Sequence, residues 1–282
     1  MRSIILFGAH GHLGSAIARA ILAKGSTRFV PIPWQIAGGW RRPEIDAWLA
    51  DQVRLGDVDI IFANGLTDPA LPADQLFYSN RDFPLQVIEA GGGYPGLRFM
   101  TIGTVMEVRS PMITGNGYVA SKLALSQQMT ALASGPLQHR ILHLRLHTLY
   151  GVGAPHRHLF LGQMLMALRE NRAFPMSSGR QYRQYHHADD IAAAILSIRE
   201  TVWTRPPVLQ LNSAETLQLR QIAEEAFAHF AKLPLLKVGA LADQPSDVWE
   251  DPHYQPSDRV DFPQSRPALP NIVKWFVDCI KA

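Results

Sequence analysis

The sequence predicts an α/β fold, in which helices cover both faces of a doubly wound parallel sheet and a smaller lobe follows at the carboxyl end. Three observations support this prediction. Short apolar runs alternate with helical patterns over the first half of the chain, as in successive βαβ units. Most of these runs are apolar throughout, as in strands buried on both faces. The chain of 282 residues is long enough for one enlarged domain or for a domain with a lobe.

The predicted elements follow one another in βα order. Strands are predicted at residues 3–7, 27–32, 58–63, 97–102 and 140–146, and helices at residues 13–24, 80–90 and 118–133. Gly25 closes the first helix, and Pro84 lies near the start of the second. Beyond about residue 151 the pattern is looser: residues 245–270 are rich in proline and aspartate, and residues 272–280 predict a final amphipathic helix.

Composition and charge exclude several classes of protein. Hydrophobic residues make up 47% of the chain and charged residues 18%, as is typical of a soluble globular protein. The apolar run at residues 4–7 is too short for a secretion signal, and no stretch approaches the roughly 20 apolar residues of a membrane span. The lone Cys279 excludes an internal disulfide and indicates a reducing compartment, so we expect a cytoplasmic protein without a membrane partner. The net charge of +3 comes from scattered basic residues, which argues against a nucleic-acid partner.

A glycine-rich turn follows the first predicted strand. Gly8, Gly11 and Gly14 stand between this strand and the first helix, with the spacing GxxGxxG instead of the more usual GxGxxG. We expect Gly8 to form the sharp turn, Gly11 to let a pyrophosphate approach the backbone, and Gly14 to let the helix pack on the strand. The amino end of the helix would offer free N–H groups to the phosphates. The turn therefore predicts a dinucleotide site of Rossmann type, formed by Gly8, His10, Gly11, His12, Leu13 and Gly14.

The end of the second predicted strand indicates which dinucleotide binds. An acidic residue there would bind a ribose 2′-hydroxyl and indicate NAD(H), but the sequence at residues 31–34 is PIPW. Arg41 and Arg42 follow shortly afterwards, and a guanidinium suits a 2′-phosphate. The sequence therefore favours NADP(H), with Arg41 as a cofactor-binding residue, and leaves NAD(H) open. The alternative for Arg41 and Arg42 is a solvated pair on a loop.

Tyr118 and Lys122 lie four residues apart in the predicted helix at residues 118–133, so they share one helix face. A phenol with a pKa near 10 is a poor acid–base catalyst at neutral pH. A neighbouring ammonium and an oxidised nicotinamide favour the phenolate and lower that pKa. Lys122 can also hold the cofactor ribose. After a dinucleotide turn, this pair predicts hydride and proton transfer at a carbonyl or a carbinol.

With these motifs in place, the chain resembles the extended short-chain dehydrogenases/reductases, a superfamily that includes nucleotide-sugar epimerases, dehydratases and ketoreductases. The likeness runs through most of the chain. It includes residues 59–65 (DIIFANG), residues 144–151 (LRLHTLYG) and residues 179–192 (GRQYRQYHHADDIA), of which the last is similar to the family's GxxQxRDFxHVDDxA segment. The resemblance implies an NAD(P)-dependent oxidoreductase with a small-molecule carbonyl substrate, and a homodimer formed through helices that flank the sheet. It adds Ala63, Asn64, Gly65 and Asn80 to the cofactor-binding residues.

The chain departs from the family at the catalytic hydroxyl. Family members place a Ser or Thr three residues ahead of a Val-Tyr pair, and alignment on Val105 puts Ile102 there. We expect Thr104 to orient the substrate instead, with Thr101 as the second choice; the alternative is that both are ordinary strand threonines. Dehydratases carry an acidic pair immediately before this valine. Here the pair is Gly103 and Thr104, which argues against dehydration.

The residues that the resemblance assigns to substrate binding give a mixed indication. Thr148 stands where nucleotide-sugar enzymes often have an Asn that helps to bind the diphosphate, whereas Arg183 matches the family's phosphate-binding arginine. Arg183 is therefore predicted to bind a substrate phosphate, with an ion pair to Asp189 or Asp190 as the alternative.

The eleven histidines of the chain do not show the spacing of a zinc site, so no metal is predicted.

Together these observations predict that residues 1–150 form the dinucleotide-binding domain, with later strands returning from residues 175–215. Residues 151–282 are predicted to form mostly a substrate-binding lobe. The function expected is the reduction of a ketone, such as a nucleotide-linked keto-sugar, with Tyr118 as the proton donor. One alternative is an epimerase with tightly held NAD, and a second is a non-catalytic dinucleotide-binding sensor.

Overall fold

A computed structural model of the chain describes residues 2–25, 27–112, 115–244 and 258–281. For residue 55 and residues 109–112 it describes the backbone only. Much of the proline- and aspartate-rich stretch at residues 245–270 therefore lies outside the described residues.

The strands and helices alternate through the first half of the chain, as predicted. The strands are β1 (Ser3–Phe7), β2 (Phe29–Ile32), β3 (Val58–Phe62), β4 (Leu97–Thr104), β5 (Ile141–Leu146), β6 (Thr148–Tyr150), β7 (Phe174–Met176), β8 (Tyr182–Arg183), β9 (Tyr185–His187), β10 (Val208–Asn212), β11 (Leu217–Gln218), β12 (Leu236–Val238) and β13 (Arg259–Asp261). The helices are α1 (His12–Lys24), α2 (Trp34–Ala37), α3 (Arg42–Gln52), α4 (Ala73–Phe77), α5 (Phe83–Gly91), α6 (Gly117–Ala133), α7 (Phe160–Glu170), α8 (Ala188–Thr201), α9 (Leu219–His229) and α10 (Ala268–Lys281). A π-helical turn (Tyr78–Asp82) joins α4 to α5, and a 3₁₀ segment (Val105–Met112) follows β4.

The central sheet has the strand order β13-β10-β5-β4-β3-β1-β2. The pairings of β1 with β2 and β3, of β3 with β4, and of β5 with β4 and β10 are all parallel. The chain runs outward from β1 to β2 and then crosses to β3 on the other side of β1. The crevice between β1 and β3 is therefore a topological switch point, where open α/β sheets bind their ligands. The predicted doubly wound α/β fold is confirmed.

Two helical segments differ from the sequence prediction. The helix expected at residues 80–90 begins earlier, at Ala73, and passes through the π-helical turn before α5. Helix α3 occupies a stretch for which no helix was predicted. Its Ile45 and Leu49 are buried four residues apart, and this spacing is the helical signal that was present in the sequence.

The structure divides into two compact units. The first comprises residues 1–146, 192–211 and 256–260, and the second comprises residues 147–191, 212–255 and 261–282. The first unit contains an apolar core around Phe7, Phe62, Phe83 and Phe99. The second has its own core, in which α7, α9 and α10 contribute Leu165, Phe227 and Phe276. The assignment of the second unit to substrate binding stays a prediction.

A buried ion cluster links the strands of the first unit to α8. Asp59 of β3 is 1% exposed and accepts hydrogen bonds from Arg2 Nε (2.7 Å), Arg98 Nε (2.7 Å) and Arg199 Nη1 (2.6 Å). Burial alone would raise the pKa of Asp59, but the three arginines hold it below its usual value. The cluster fixes the returning segment of α8 against strands formed much earlier in the chain.

None of the described helices is long and apolar enough to cross a membrane.

Candidate active site

The glycine turn between β1 and α1 leaves little room for side chains. Gly8 has a φ of 78°, a conformation that side-chain-bearing residues rarely adopt. A Cβ atom there would lie 2.5 Å from the Asn64 backbone nitrogen, and a Cβ at Gly14 would lie 2.0 Å from the Gly8 carbonyl oxygen. Gly8 therefore allows β1 to approach the end of β3, and Gly14 allows α1 to pack on the turn.

The amino end of α1 is suited to an anion. Gly11 is the N-cap residue, and neither a side-chain cap nor an acidic first-turn residue is present. The backbone N–H groups of the first turn lie at the positive end of the helix dipole, which favours an anion there. His10 and Gly11 are exposed, His12 is half-buried, and Leu13 is buried in the domain core.

Asn64, Gly65 and Asn80 lie together at the end of β3. Asn80 is fully buried in the π-helical turn and binds the backbone of Leu66 through Oδ1 (3.0 Å) and Nδ2 (2.9 Å). Asn80 Nδ2 also donates to Ser121 Oγ (3.0 Å), which joins this loop to α6. A Cβ atom at Gly65 would lie 3.2 Å from Lys122 Nζ. The preceding Ala63 is half-buried and bonds to the end of β1 through its N–H and the Phe7 carbonyl (3.0 Å).

These residues fit a nicotinamide dinucleotide. The turn holds its glycines close to Asn64, the helix amino end is uncapped, and the loop at residues 64–66 brings Lys122 to the same edge of the sheet. Asn64 donates from Nδ2 to the Ser79 carbonyl (3.0 Å), whereas its buried Oδ1 has no hydrogen-bond partner among the described residues. An acceptor left in this state is costly in a buried site and is consistent with a polar ligand.

The two arginines after β2 have different surroundings. Arg42 forms an i,i+4 ion pair with Asp46 (2.8 Å) on α3. Arg41 donates from Nη1 to Tyr78 Oη (3.0 Å) and to the Trp40 carbonyl (3.2 Å), while Tyr78 Oη donates to that same carbonyl (2.7 Å). Arg41 is thus an exposed guanidinium held in place by neutral groups, whereas Arg42 is already paired with a carboxylate.

Tyr118 and Lys122 occupy the first turns of α6. Asn116 caps this helix through Oδ1, which accepts from the Val119 N–H (3.1 Å) and so places Tyr118 beside the helix start. Lys122 is buried and donates from Nζ to the Ile102 carbonyl at the end of β4 (2.8 Å). The pair therefore lies at the carboxyl edge of the sheet, as the sequence predicted.

The protonation of this pair differs from the sequence-based expectation. Burial raises the pKa of Tyr118 to about 12; a hydrogen bond with the Thr104 side chain opposes the rise, and the charge of Glu107 adds to it. Burial lowers the pKa of Lys122 to about 8, and the charge of Glu107 opposes this fall. The expected lowering of the Tyr118 pKa by Lys122 is therefore not found in the protein by itself.

The two candidate threonines face different partners. The Thr101 hydroxyl is fully buried and shares a hydrogen bond with His143 Nδ1 (2.7 Å) on β5. The Thr104 hydroxyl accepts from the Met106 N–H (3.3 Å) and lies within hydrogen-bonding reach of Tyr118. This arrangement brings Thr104, and not Thr101, to the phenol.

Glu107 is a residue that the sequence analysis missed. It follows β4 in the 3₁₀ segment and is 2% exposed. Its carboxylate accepts from the Thr104 N–H (2.7 Å) and from Arg145 Nε (2.9 Å), and it contacts His143 Nε2 (3.2 Å). The available signal was an acidic residue within the otherwise apolar stretch VMEV directly after a strand.

The predicted substrate residues Thr148 and Arg183 belong to the second unit. Thr148 is half-buried and pairs with Tyr185 across the β6–β9 ladder. Arg183 is half-buried in β8 and donates from Nη1 to the Tyr182 carbonyl (2.7 Å). Asp190 instead binds the backbone N–H of Arg266 (3.0 Å), and among the described residues no ion pair joins it to Arg183.

Among the described residues, no cluster of histidine, cysteine and acidic side chains is arranged to hold a metal ion.

Comparison with known proteins identifies the family. The model of the NAD-dependent epimerase/dehydratase family matches residues 4–207. The chain belongs to this family. The predicted resemblance to extended short-chain dehydrogenases/reductases is thus confirmed, and this epimerase/dehydratase family member is an enzyme of the oxidoreductase type that uses a nicotinamide dinucleotide. No curated protein sequence matches the chain at a significant level.

Solved structures of similar fold span the chemistries of the epimerase/dehydratase family. The UDP-glucuronic acid 4-epimerase of Bacillus cereus, solved with UDP-glucuronic acid and NAD, has a TM-score of 0.73 at 16% identity, with 99% of each chain covered. The dTDP-4-dehydrorhamnose reductase of Bacillus anthracis, solved with NADP, has a TM-score of 0.72 at 16% identity, covering 99% of this chain and 100% of the other. The dTDP-glucose 4,6-dehydratase of Bacillus anthracis, solved with NAD, has a TM-score of 0.68 at 15% identity, covering 99% and 97%. At these identities the likeness shows the fold alone.

Proposed function

We propose that this family member reduces a ketone by hydride transfer, with Tyr118 as the proton donor. The observation that carries the proposal is the position of Tyr118 at the start of α6, within hydrogen-bonding reach of the Thr104 side chain and one helical turn before Lys122, which is fixed at the end of β4. Burial raises the pKa of Tyr118 to about 12, so the phenol carries the proton that the reduction needs. Gly103 and Thr104 supply no acid or base, which further argues for a reaction that needs only a hydride and one proton.

The residues of the first unit have separate tasks in this mechanism. The α1 amino end and the glycine turn hold the pyrophosphate, while Asn64, Gly65 and Asn80 shape the loop beside it. A dihydronicotinamide held by these residues would supply the hydride that the carbonyl carbon accepts. Tyr118 gives its proton to the carbonyl oxygen. The Thr104 hydroxyl lies within hydrogen-bonding reach of Tyr118 and orients the same oxygen.

Lys122 holds a second position in this mechanism. Its ammonium is fixed at the Ile102 carbonyl (2.8 Å) and lies next to the Gly65 backbone. From there it can donate to a ribose hydroxyl. Because its pKa is lowered to about 8, most of Lys122 is still protonated at neutral pH, and this donor role becomes weaker as the pH rises through that value.

For the cofactor we propose NADP(H), bound through Arg41 at the 2′-phosphate. Arg41 is exposed and held by Tyr78 and the Trp40 carbonyl, and the strand end at residues 31–34 carries no carboxylate that would repel a phosphate. For the substrate we propose a keto-sugar linked to a nucleotide, whose diphosphate binds Arg183 with help from Thr148. The nucleotide sugars bound by several similar structures support this class.

The test is turnover on a panel that pairs nucleotide-linked keto-sugars with simple ketones of similar size, using NADPH and NADH in separate assays. We expect reduction of a nucleotide-linked member with NADPH. Tyr118→Phe should lower kcat by about a hundredfold or more, because general-acid catalysis contributes on this scale. Full turnover by Tyr118→Phe on the true substrate would contradict the mechanism.

The alternative from the same family is an epimerase, since the family model includes that activity. An epimerase recycles its nicotinamide and keeps it bound, whereas a reductase exchanges it at every turnover. Nicotinamide absorbance or fluorescence that co-purifies with the protein would favour the epimerase. Dinucleotide binding with no turnover on either panel would favour a non-catalytic sensor. The homodimer and the cytoplasmic location stay predictions, and sedimentation analysis tests the first of them.

A further inference from the structure

A carboxylate occupies the space beside β4 in which a side chain at position 103 would lie. A Cβ atom built on Gly103 would be 2.3 Å from Glu107 Oε1 and 2.1 Å from His143 Nε2. Only glycine leaves room for these two groups. Glu107 therefore brings a negative charge to the strand end, although neither Gly103 nor Thr104 is acidic.

This carboxylate is buried and in contact with donors from Thr104, Arg145 and His143. Its side chain is 0% exposed, and it accepts from the Thr104 N–H, from Arg145 Nε and from His143 Nε2, at 2.7, 2.9 and 3.2 Å. An ionised carboxylate can only accept, so the His143 Nε2 atom must carry a hydrogen. Burial alone would raise the pKa of Glu107, but its contacts with His143, Thr104 and Arg145 hold it below its usual value. Glu107 is thus a fixed anion and is closed to substrate.

We propose that Glu107 is a positioning residue of the reaction centre, which fixes the Thr104 segment and places a permanent negative charge near Tyr118 and Lys122. This inference rests on the proposed ketone reduction for its purpose. Glu107 accepts a hydrogen bond from the Thr104 backbone N–H. The Thr104 hydroxyl in turn lies within hydrogen-bonding reach of Tyr118. The charge favours the phenol of Tyr118 and the ammonium of Lys122, which are the proton-donating forms of both groups.

The charged groups around Glu107 determine the sign of each test. Arg145 and His143 face it from β5, and its own charge acts on Tyr118 and Lys122 of α6. Removal of the Glu107 charge lowers the pKa of both Tyr118 and Lys122. Removal of the Arg145 charge does the opposite, because one of the cations that compensate the anion is lost. If Glu107 and Arg145 only stabilised the fold, their removal would not shift the pKa of Lys122 in opposite directions.

The experiment follows the Lys122 side chain by NMR in the full-length protein, from about pH 6 to about pH 10, a range around the value of a shifted lysine. The Lys122 signal is identified by its loss in Lys122→Met. We expect a midpoint of about 8 in the unaltered protein. In Glu107→Gln it should fall by about one pH unit or more, because at an effective dielectric constant of about 20 a unit charge shifts a pKa by about one unit from about 12 Å away and by more from a shorter distance.

Two further variants keep the test decisive. Arg145→Gln should move the Lys122 midpoint upward, and Glu107→Asp, which keeps the charge, should leave it close to that of the unaltered protein. An unchanged midpoint in Glu107→Gln, or a shift in the same direction in Arg145→Gln, would overturn the inference. If Glu107→Gln does not fold, Arg145→Gln decides alone: an upward shift supports the inference, and no shift overturns it.

The titration needs no substrate, so its outcome is independent of the proposed reaction. Once a ketone substrate is found, the alkaline limb of kcat/KM should also lie at lower pH in Glu107→Gln. A normal Lys122 shift without ketone reduction would leave the charge assignment standing and contradict the proposed function. Ketone reduction without any shift would contradict the role of Glu107 alone.

Discussion

The role of Arg41 in cofactor binding can be tested by comparing it with its neighbour Arg42. Both Arg41 and Arg42 follow β2, but Arg42 is paired with Asp46, whereas the partners of the Arg41 guanidinium among the described residues are neutral groups. Arg41→Gln should therefore weaken NADPH binding by about tenfold or more, the scale of one hydrogen bond to a charged group. NADH binding should change little. Fluorescence titration with each dinucleotide measures both.

Arg42→Gln is the matched control for this prediction. It removes the same charge one residue away, from a side chain already engaged on α3. Equal losses of NADPH affinity in the two variants would indicate a general charge effect and argue against a 2′-phosphate site at Arg41.

The sequence predicted the candidate residues that are recognised from the spacing of nearby residues. It could not choose between residues whose role depends on contacts with a neighbouring strand. Tyr118 and Lys122 follow from helix spacing, and the glycines follow from a strand–turn–helix context. The choice between Thr101 and Thr104 depends on His143, which β5 brings beside Thr101. Glu107 is recognisable only when Arg145 is known to reach it, 38 residues later in the chain.

At the scale of elements, the packing of α1 against β1 depends on Gly14, which has no side chain. A Cβ atom at Gly14 would lie 2.0 Å from the Gly8 carbonyl oxygen, and backbone on both sides prevents easy relaxation. Gly14→Ala should lower the free energy of unfolding by about 1–3 kcal/mol, as overpacking does. It should also weaken the thermal stabilisation by NADPH, since the α1 amino end is displaced. Thermal unfolding with and without NADPH measures both effects.

Gly93→Ala provides the control, because a Cβ atom there meets nothing within 4 Å. Its unfolding temperature and its response to NADPH should match those of the unaltered protein. If Gly14→Ala behaves like Gly93→Ala, the close approach of α1 to the turn is not required.

The elements that the sequence missed have identifiable causes. Helix α3 carries buried Ile45 and Leu49 at helical spacing, but Arg41 and Arg42 at its start were interpreted as cofactor-binding residues or as a solvated pair on a loop. The prediction placed the start of this helix at residue 80, with Pro84 close to it, whereas the helical stretch begins at Ala73. In the structure the Pro84 ring lies in the first turn of α5, immediately after the π-helical turn. Proline has no backbone N–H, and the first turn of a helix tolerates this.

At the scale of the whole molecule, the boundary predicted near residue 150 lies close to the end of the first stretch of unit one, at residue 146. The predicted return of later strands has a counterpart in β10, which joins the sheet beside β5. The sequence could not show that β13 also joins this sheet, because a three-residue strand carries too little periodicity to be recognised.

Acid stability of the whole molecule should depend on a buried histidine of the second unit. His186 is fully buried, with its ring edge-on to His147 and Phe262. Burial and the nearby His147 lower its pKa to about 3, whereas in the unfolded chain it is about 6.5. Between these values the unfolded chain binds a proton that the folded protein does not, so the free energy of unfolding decreases as the pH falls.

The contribution of His186 is about 2 kcal/mol between pH 6.5 and about pH 5, at 1.36 kcal/mol per unit. His186→Gln cannot titrate and should show a flatter dependence of the urea midpoint on pH over this interval. Identical slopes for the two proteins would show that other groups cause the acid sensitivity.

The ion cluster at Asp59 also affects the order in which the protein can form during synthesis. Its three arginines come from residue 2, residue 98 and residue 199, so a nascent chain lacks the last of them until the whole first stretch and much of the second unit have left the ribosome. Until then Asp59 is only partly neutralised and the sheet lacks β10. Completion of the first unit must therefore wait for late translation, and a truncated chain ending before α8 should require chaperones to remain in solution.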